Sequence, residues 1–223
     1  YTASFVEEGK QGAQITYSDG TGKDRQGVST LNTEQKVMVS TTLYDHQGRP
    51  AVSTLPAPVG TQALSYIENL NKYDAAVQYG RDHFDVDLGS CDNPVSPMDK
   101  VNSVGAANYY STANNDKEGA QAMLPDAEGY PFTQVEYMPD LTGRVRRSTM
   151  PGPDHQLSSA ATARHETQYF YGQPAQAEID RLFGSEVGIA NHYQRNVIKD
   201  ANGQISVSYV DMHGRVIATA LAG

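Results

Sequence analysis

The chain has 223 residues, 17 basic and 26 acidic side chains for a formal net charge of −9, and 38% hydrophobic residues. That size and apolar fraction suffice for a buried core and argue against wholesale disorder. The acidic balance, with no positive stripe, excludes a nucleic-acid partner, and no apolar run reaches membrane-spanning length. Fourteen tyrosines against five phenylalanines and no tryptophan favour half-buried strands, where the ring packs and the hydroxyl finds a polar partner. Cys91 stands alone, which rules out an internal disulfide or a cysteine metal cluster. Residues 1–6 have neither a methionine start nor a charged-then-apolar leader, and residues 217–223 stop as a strand finishes, so both ends read as cut from a longer polypeptide.

The pattern Asp-x-x-Gly organises the chain. It runs from Asp19 to Gly22, Asp24 to Gly27, Asp45 to Gly48, Asp126 to Gly129, Asp140 to Gly143, Asp200 to Gly203 and Asp211 to Gly214. Aspartate at the first position of a type I turn accepts a hydrogen bond from the backbone two residues on, and glycine at the fourth tolerates positive φ. Each such unit therefore predicts the tip of a β-hairpin. Alternation over Val37–Tyr44 predicts a strand into the tip at Asp45, with a return strand from Arg49 to Leu55 and Pro50 at its start or on an edge. Thr133–Tyr137 alternates in the same way and predicts a half-buried strand into the tip at Asp140. The return there, Arg144–Thr149, includes the basic cluster Arg144, Arg146 and Arg147, read as charges on a solvated strand face. Val197-Ile198, Ile205–Tyr209 and Val216–Leu221 around the tips at Asp200 and Asp211 predict a meander.

Two stretches break this rhythm. Residues 59–125 alternate little and are rich in Asn, Asp, Pro and Gly, which predicts an irregular insertion with short helical pieces near residues 66–79. Ala175–Phe183 follows Pro174, precedes Gly184 and places Ile179, Leu182 and Phe183 on one face, which predicts one short helix. The expected class is mainly β, an antiparallel meander, in three segments: hairpins at 1–58, the insertion at 59–125, and a meander with a short helix at 126–223.

At Tyr44-Asp45-His46-Gln47-Gly48-Arg49 the chain resembles a YD repeat, whose pattern is Tyr-Asp-x-x-Gly-Arg. Looser copies run from Tyr209 through Asp211 and Gly214 to Arg215, and from Tyr137 through Asp140 and Gly143 to Arg144. Gln204 and Lys23 replace the arginine after the tips at Asp200 and Asp19. Residues 126–223 are similar to bacterial RHS-repeat proteins of the Bacteroidota type, in the region upstream of their conserved core. The resemblance implies a segment of a large secreted or cell-surface protein whose repeats wind as a curved sheet into a β-shell, or cocoon, around a C-terminal effector or toxin. The implied partners are the rest of the same polypeptide and a secretion machinery. The family's self-cleaving Asp-Pro-x-Gly-Leu elements are absent, so a non-catalytic role is expected, with no cofactor.

Other residues bear on chemistry. Asp85, Asp87 and Asp92 faintly resemble a calcium loop but lack the distal glutamate of a full one, so a solvated acidic loop is the plainer reading. His165-Glu166 begins like a zinc-protease helix, yet Tyr169 stands where the second histidine belongs. Cys91 with His83 would need an electropositive setting, and Asp87 and Asp92 flank the thiol. A second function class is a surface adhesin binding glycan or protein through Tyr109, Tyr110, Tyr169 and Tyr171. A hydrolase in the insertion is a third.

Overall fold

The computed structural model describes residues 1–6, 9–31, 36–60, 63–85, 95–157 and 165–222. Among the described residues the fold is mainly β, with twelve antiparallel strands in one open sheet and little helix. The first half contains β1 (Thr2–Val6), β2 (Gly9–Ser18), β3 (Asp24–Leu31), β4 (Lys36–Tyr44), β5 (Pro50–Thr54) and β6 (Ala57–Val59). The second contains β7 (Phe132–Tyr137), β8 (Val145–Ser148), β9 (Thr167–Gly172), β10 (Tyr193–Lys199), β11 (Ile205–Asp211) and β12 (Val216–Ala222). Strands neighbour one another in chain order, and β5 joins the halves by placing Val52 opposite Gln134 and Thr54 opposite Phe132. The residues between β6 and β7 are thus an excursion from a continuous meander.

β5 and β6 both pair with β4, at Leu43↔Val52 and Val39↔Ala57. Pro56, which has no amide proton, interrupts the run between them. At the break the Thr54 hydroxyl takes the Thr41 amide at 2.9 Å in place of a ladder carbonyl.

The excursion covers one face of the sheet. Leu70 joins Val28, Val37 and Val39 in one buried cluster, with Ile15, Tyr17, Leu64 and Ile67 packed against it. Tyr79, Phe84, Met98 and Ala107 join Ala51, Val52 and Phe132 in a second. The expected helical pieces near residues 66–79 are not there. Lys72 and Gln78 form a bridge, and Asp74 Oδ1 accepts the amides of Ala76 and Val77 at 2.8 Å, a turn that competes with helix locally. The short helical segments of this region include Arg81–His83 and α1 (Ala106–Tyr109).

The predicted later helix is present as α2 (Gln176–Phe183) and ends at Gly184 with φ +86°. Ile179 is its fully buried residue, packed with Ala190, Tyr209, Val207 and Ala218. No helix of the described residues is long and apolar enough to cross a membrane.

β7 alternates as expected, but its more deeply buried side carries Phe132, Gln134 and Glu136. Arg147, expected on a solvated face, is only 3% exposed. It lies opposite Glu136 across the β7–β8 pair and grips it through Nε–Oε2 at 2.6 Å and Nη2–Oε1 at 3.0 Å. Glu166 Oε1 lies 3.6 Å from Arg147 Nη1 and accepts from Gln168 Nε2 at 3.0 Å. A two-toothed ion pair with further polar neighbours makes burial of these charges tolerable. Replacing Glu136 by leucine removes the main partner of a buried guanidinium, so a loss of about 3 kcal/mol is expected in urea denaturation; an unchanged midpoint would mean that the pair is solvated.

Candidate functional site

A meander sends its connections alternately to two rims of the sheet. The tips at Asp19, Asp45, Asp140 and Asp211 share one rim, and the tip at Asp200 lies on the other. At Asp19, Asp45, Asp200 and Asp211 one closure recurs. The aspartate amide donates at 2.9 Å to the carbonyl four residues on (Lys23, Arg49, Gln204, Arg215), and the glycine amide returns to the aspartate carbonyl at 2.9–3.0 Å. Oδ1 then accepts two more amides, as at Asp45 from Gln47 (2.9 Å) and Arg49 (2.8 Å), and at Asp211 from His213 (2.8 Å) and Arg215 (3.0 Å). Glycine is required at the fourth position because φ there is +74° to +85°. The tip at Asp140 is a longer variant, closed by Met138 N to Arg144 O at 2.7 Å, with Leu141 at φ +59°.

The same Asp-x-x-Gly spacing closes no hairpin at three other places. Asp24 and Gly27 lie inside β3, where Gly27 pairs with Ser40 and an added Cβ would stand 3.3 Å from the Ser40 hydroxyl. Asp126 caps an isolated turn with Glu128 and Gly129 at positive φ, and Asp116 precedes a short 3-10 segment that begins at Gly119. Spacing alone does not make a tip; two strands must arrive on either side of it.

The arginine of the repeat folds back onto its own aspartate. Arg49 Nε meets Asp45 Oδ2 at 2.7 Å, Arg144 Nη2 meets Asp140 Oδ2 at 2.7 Å, and Arg215 Nε and Nη2 meet Asp211 Oδ2 at 2.8 and 2.7 Å. At Asp19, where lysine fills that place, Arg25 from two residues further along β3 supplies the fork, with Nε at 2.8 Å and Nη2 at 2.6 Å.

Each fork in turn carries the tyrosine of the next strand pair. Arg25 lies 4.6 Å from the Tyr44 ring centroid, Arg49 4.4 Å from Tyr137 and Arg144 4.8 Å from Tyr171. The three hydroxyls donate to equivalent carbonyls, the fifth residue after each aspartate: Tyr44 to Asp24 at 2.8 Å, Tyr137 to Pro50 at 2.9 Å and Tyr171 to Val145 at 2.9 Å. Three like rungs thus run along the first rim. The fourth position is altered. Between β9 and β10 the chain forms α2 in place of a tip, and the Tyr209 hydroxyl donates to the Glu178 carboxylate. Arg195 Nη1 lies 3.6 Å from Glu178 Oε2. Burial first, and then Glu178, raises the Tyr209 phenol, while the Tyr209 bond lowers the Glu178 carboxyl. Arg215, at the end of the series, is 73% exposed on its side chain, and among the described residues no ring lies over it.

The remaining candidates are dispersed. Asp85 is buried, its Oδ2 accepting the His46 amide at 2.7 Å and lying 2.9 Å from His46 Nδ1. Asp87, Asp92 and Cys91 lie outside the described residues. His83 sits between the rings of Tyr73 and Tyr79, with centroids at 4.3 and 5.1 Å. His165 and Glu166 precede β9, so no metal-binding helix forms there. Tyr109, Tyr110, Tyr169 and Tyr171 are all half-buried, not splayed into solvent. Among the described residues no three His, Cys, Asp or Glu side chains gather as metal ligands.

Arg49→Lys keeps the charge but loses the planar fork that serves Asp45 and Tyr137 together. It should lower stability by about 1–2 kcal/mol in urea denaturation, more than Tyr137→Phe, which keeps the ring and loses only one hydrogen bond.

The tips also predict acid sensitivity. Hydrogen bonds from Thr142 and then Arg144 hold Asp140 at about 2, and those from the Arg215 side chain and backbone hold Asp211 at about 2, against an ordinary 3.8. A carboxyl depressed in the folded state contributes stability that is complete above its unfolded value and fades as pH falls towards the folded one. Unfolding free energy should therefore decline between about pH 4 and 2, and the decline should be shallower in Asp140→Asn/Asp211→Asn. Parallel pH curves for the two proteins would contradict the assignment. No protein-family model and no curated protein matches the chain.

Proposed function

We propose that this chain is a non-catalytic wall segment of a large bacterial RHS/YD-repeat protein, secreted or displayed at the cell surface, whose sheet contributes to a shell around a C-terminal effector. The observation that carries this reading is the rim of like rungs, in which each Asp–Arg fork supports the tyrosine of the following strand pair. Such a unit is additive. Every new hairpin brings a ring for the fork before it and a fork for the ring after it, as repeat architectures require. Three of the four tyrosines considered for an adhesin surface have polar partners within the chain: the hydroxyls of Tyr110 and Tyr171 donate to Pro56 and Val145, and Tyr169 lies 3.4 Å from Ser148 Oγ.

The outer strand β12 fits a continuing wall. Its sequence, Val-Ile-Ala-Thr-Ala-Leu-Ala, has no charge, proline or glycine, and its side chains are mostly exposed. Edges of this kind invite pairing with another strand unless charge or proline blunts them. In the proposed wall the next strand lies along β12 and brings a tyrosine over Arg215, with its hydroxyl at the Val216 carbonyl. Isolated, the chain should self-associate through this edge in sedimentation-velocity runs at high micromolar concentration, and Ile217→Lys/Leu221→Lys should return it to monomer. A parent chain that stays monomeric would overturn the wall reading.

A further inference from the structure

The first tip departs from the repeat, and the lysine it frees meets the second tip in one cleft. After the Asp45, Asp140 and Asp211 tips, the cation at the fifth position is held by the tip aspartate. At the Asp19 tip Arg25 takes that role, and Lys23 is released from it. Lys23 Nζ reaches forward instead, 5.4 Å from the Tyr44 ring centroid and directly against Gly48, where an added Cβ would stand 1.9 Å from it. Gly48 therefore serves twice, for its positive φ and for the room it leaves the ammonium. Among the described residues no carboxylate lies within 4.0 Å of Lys23 Nζ.

The insertion supplies the opposite wall. Its Arg81–His83 turn places Asp85 beneath the second tip, and Asp85 Oδ2 pins both the amide and Nδ1 of His46; among the described residues Nε2 has no hydrogen-bond partner. Arg81 is half-exposed, and among the described residues its nearest carboxylate oxygen, on Asp82, is 3.7 Å away, beyond hydrogen-bonding distance. The resulting cleft holds about 450 Å³ and is lined by Lys23, Arg25, Tyr44, His46 and Arg81, with Asp45 and Asp82 as its acidic members. Arg25 is neutralised by Asp19 and Asp45 by Arg49. Among the described residues that line the cleft, Lys23 and Arg81 therefore face the single carboxylate of Asp82, while Asp85 beneath them is engaged by His46. Residues that break a repeat and converge in a space of ligand size are where a site is expected.

We propose that this cleft binds a small oxyanion-bearing molecule, a sugar-sized compound carrying phosphate or carboxylate, with Lys23 and Arg81 gripping the anionic group and the pinned His46 ring forming a wall. The proposal does not depend on the wall reading. The test is an NMR titration of the full chain with inorganic phosphate and, separately, with glucuronate. One of the two should shift the Gln47 and Gly48 amides and the His46 ring protons saturably, at Kd on the order of 1 mM. Lys23→Ala/Arg81→Ala should weaken that binding by about tenfold or more, and Asp82→Asn should tighten it. Both changes are at the surface, and unaltered signals elsewhere in the spectrum check the fold. A response to phosphate alone or to glucuronate alone assigns the anion type. No saturable shift with either, or equal affinity in the double variant, overturns the site.

Discussion

The fork between a tip aspartate and its arginine is the interaction on which the rest of the rim depends. Asp45 accepts two backbone amides and a guanidinium together, so its charge is divided between closing the turn and orienting Arg49. The oriented guanidinium presents a flat face to Tyr137, and the ring's hydroxyl returns to the backbone beside the fork. A cation over an aromatic face contributes roughly 0.5–2 kcal/mol, and each hydrogen bond about 1 kcal/mol. Neither is large alone. Repeated from strand pair to strand pair, they set the lateral alignment of tips that backbone ladders by themselves would let slip.

The covered face of the sheet is stabilised differently along its length. Over β2–β7 the excursion supplies Leu70, Tyr79, Phe84 and Met98, and over β11 and β12 the helix α2 supplies Ile179. Around β8 the covered layer is ionic, with Glu136, Arg147 and Glu166 buried together. A one-residue slip would turn an apolar inner face outward as well. The two-toothed Arg147–Glu136 pair adds a point constraint, since slipping one strand by one residue turns one charge to the other face and leaves its partner buried and unpaired.

The helix α2 occupies the place on the rim where the series calls for a tip. The substitution has a chemical echo. Tyr209, which stands where the rung tyrosines stand, takes the Glu178 carboxylate as its partner where the others take a carbonyl. The rung has been rebuilt with a helix. At the other end of the rim, Lys23 is the converse, a residue released from the repeat because Arg25 performs its task.

The hairpin tips were legible in the sequence because everything that makes them lies within five residues. An aspartate, the two amides that donate to it and a left-handed glycine are local, and alternation in the flanking strands is local as well. The helix at Gln176–Phe183 was legible for the same reason, between Pro174 and Gly184. What joins the tips was not. Tyr44 and Asp24, Tyr137 and Pro50, and Tyr171 and Val145 meet only when the meander stacks, and no spacing along the chain encodes that contact. Burial of Gln134, Glu136 and Arg147 was hidden for a related reason, since alternation reveals that a strand has two faces, and which of them is covered depends on where the excursion and its partners come to rest.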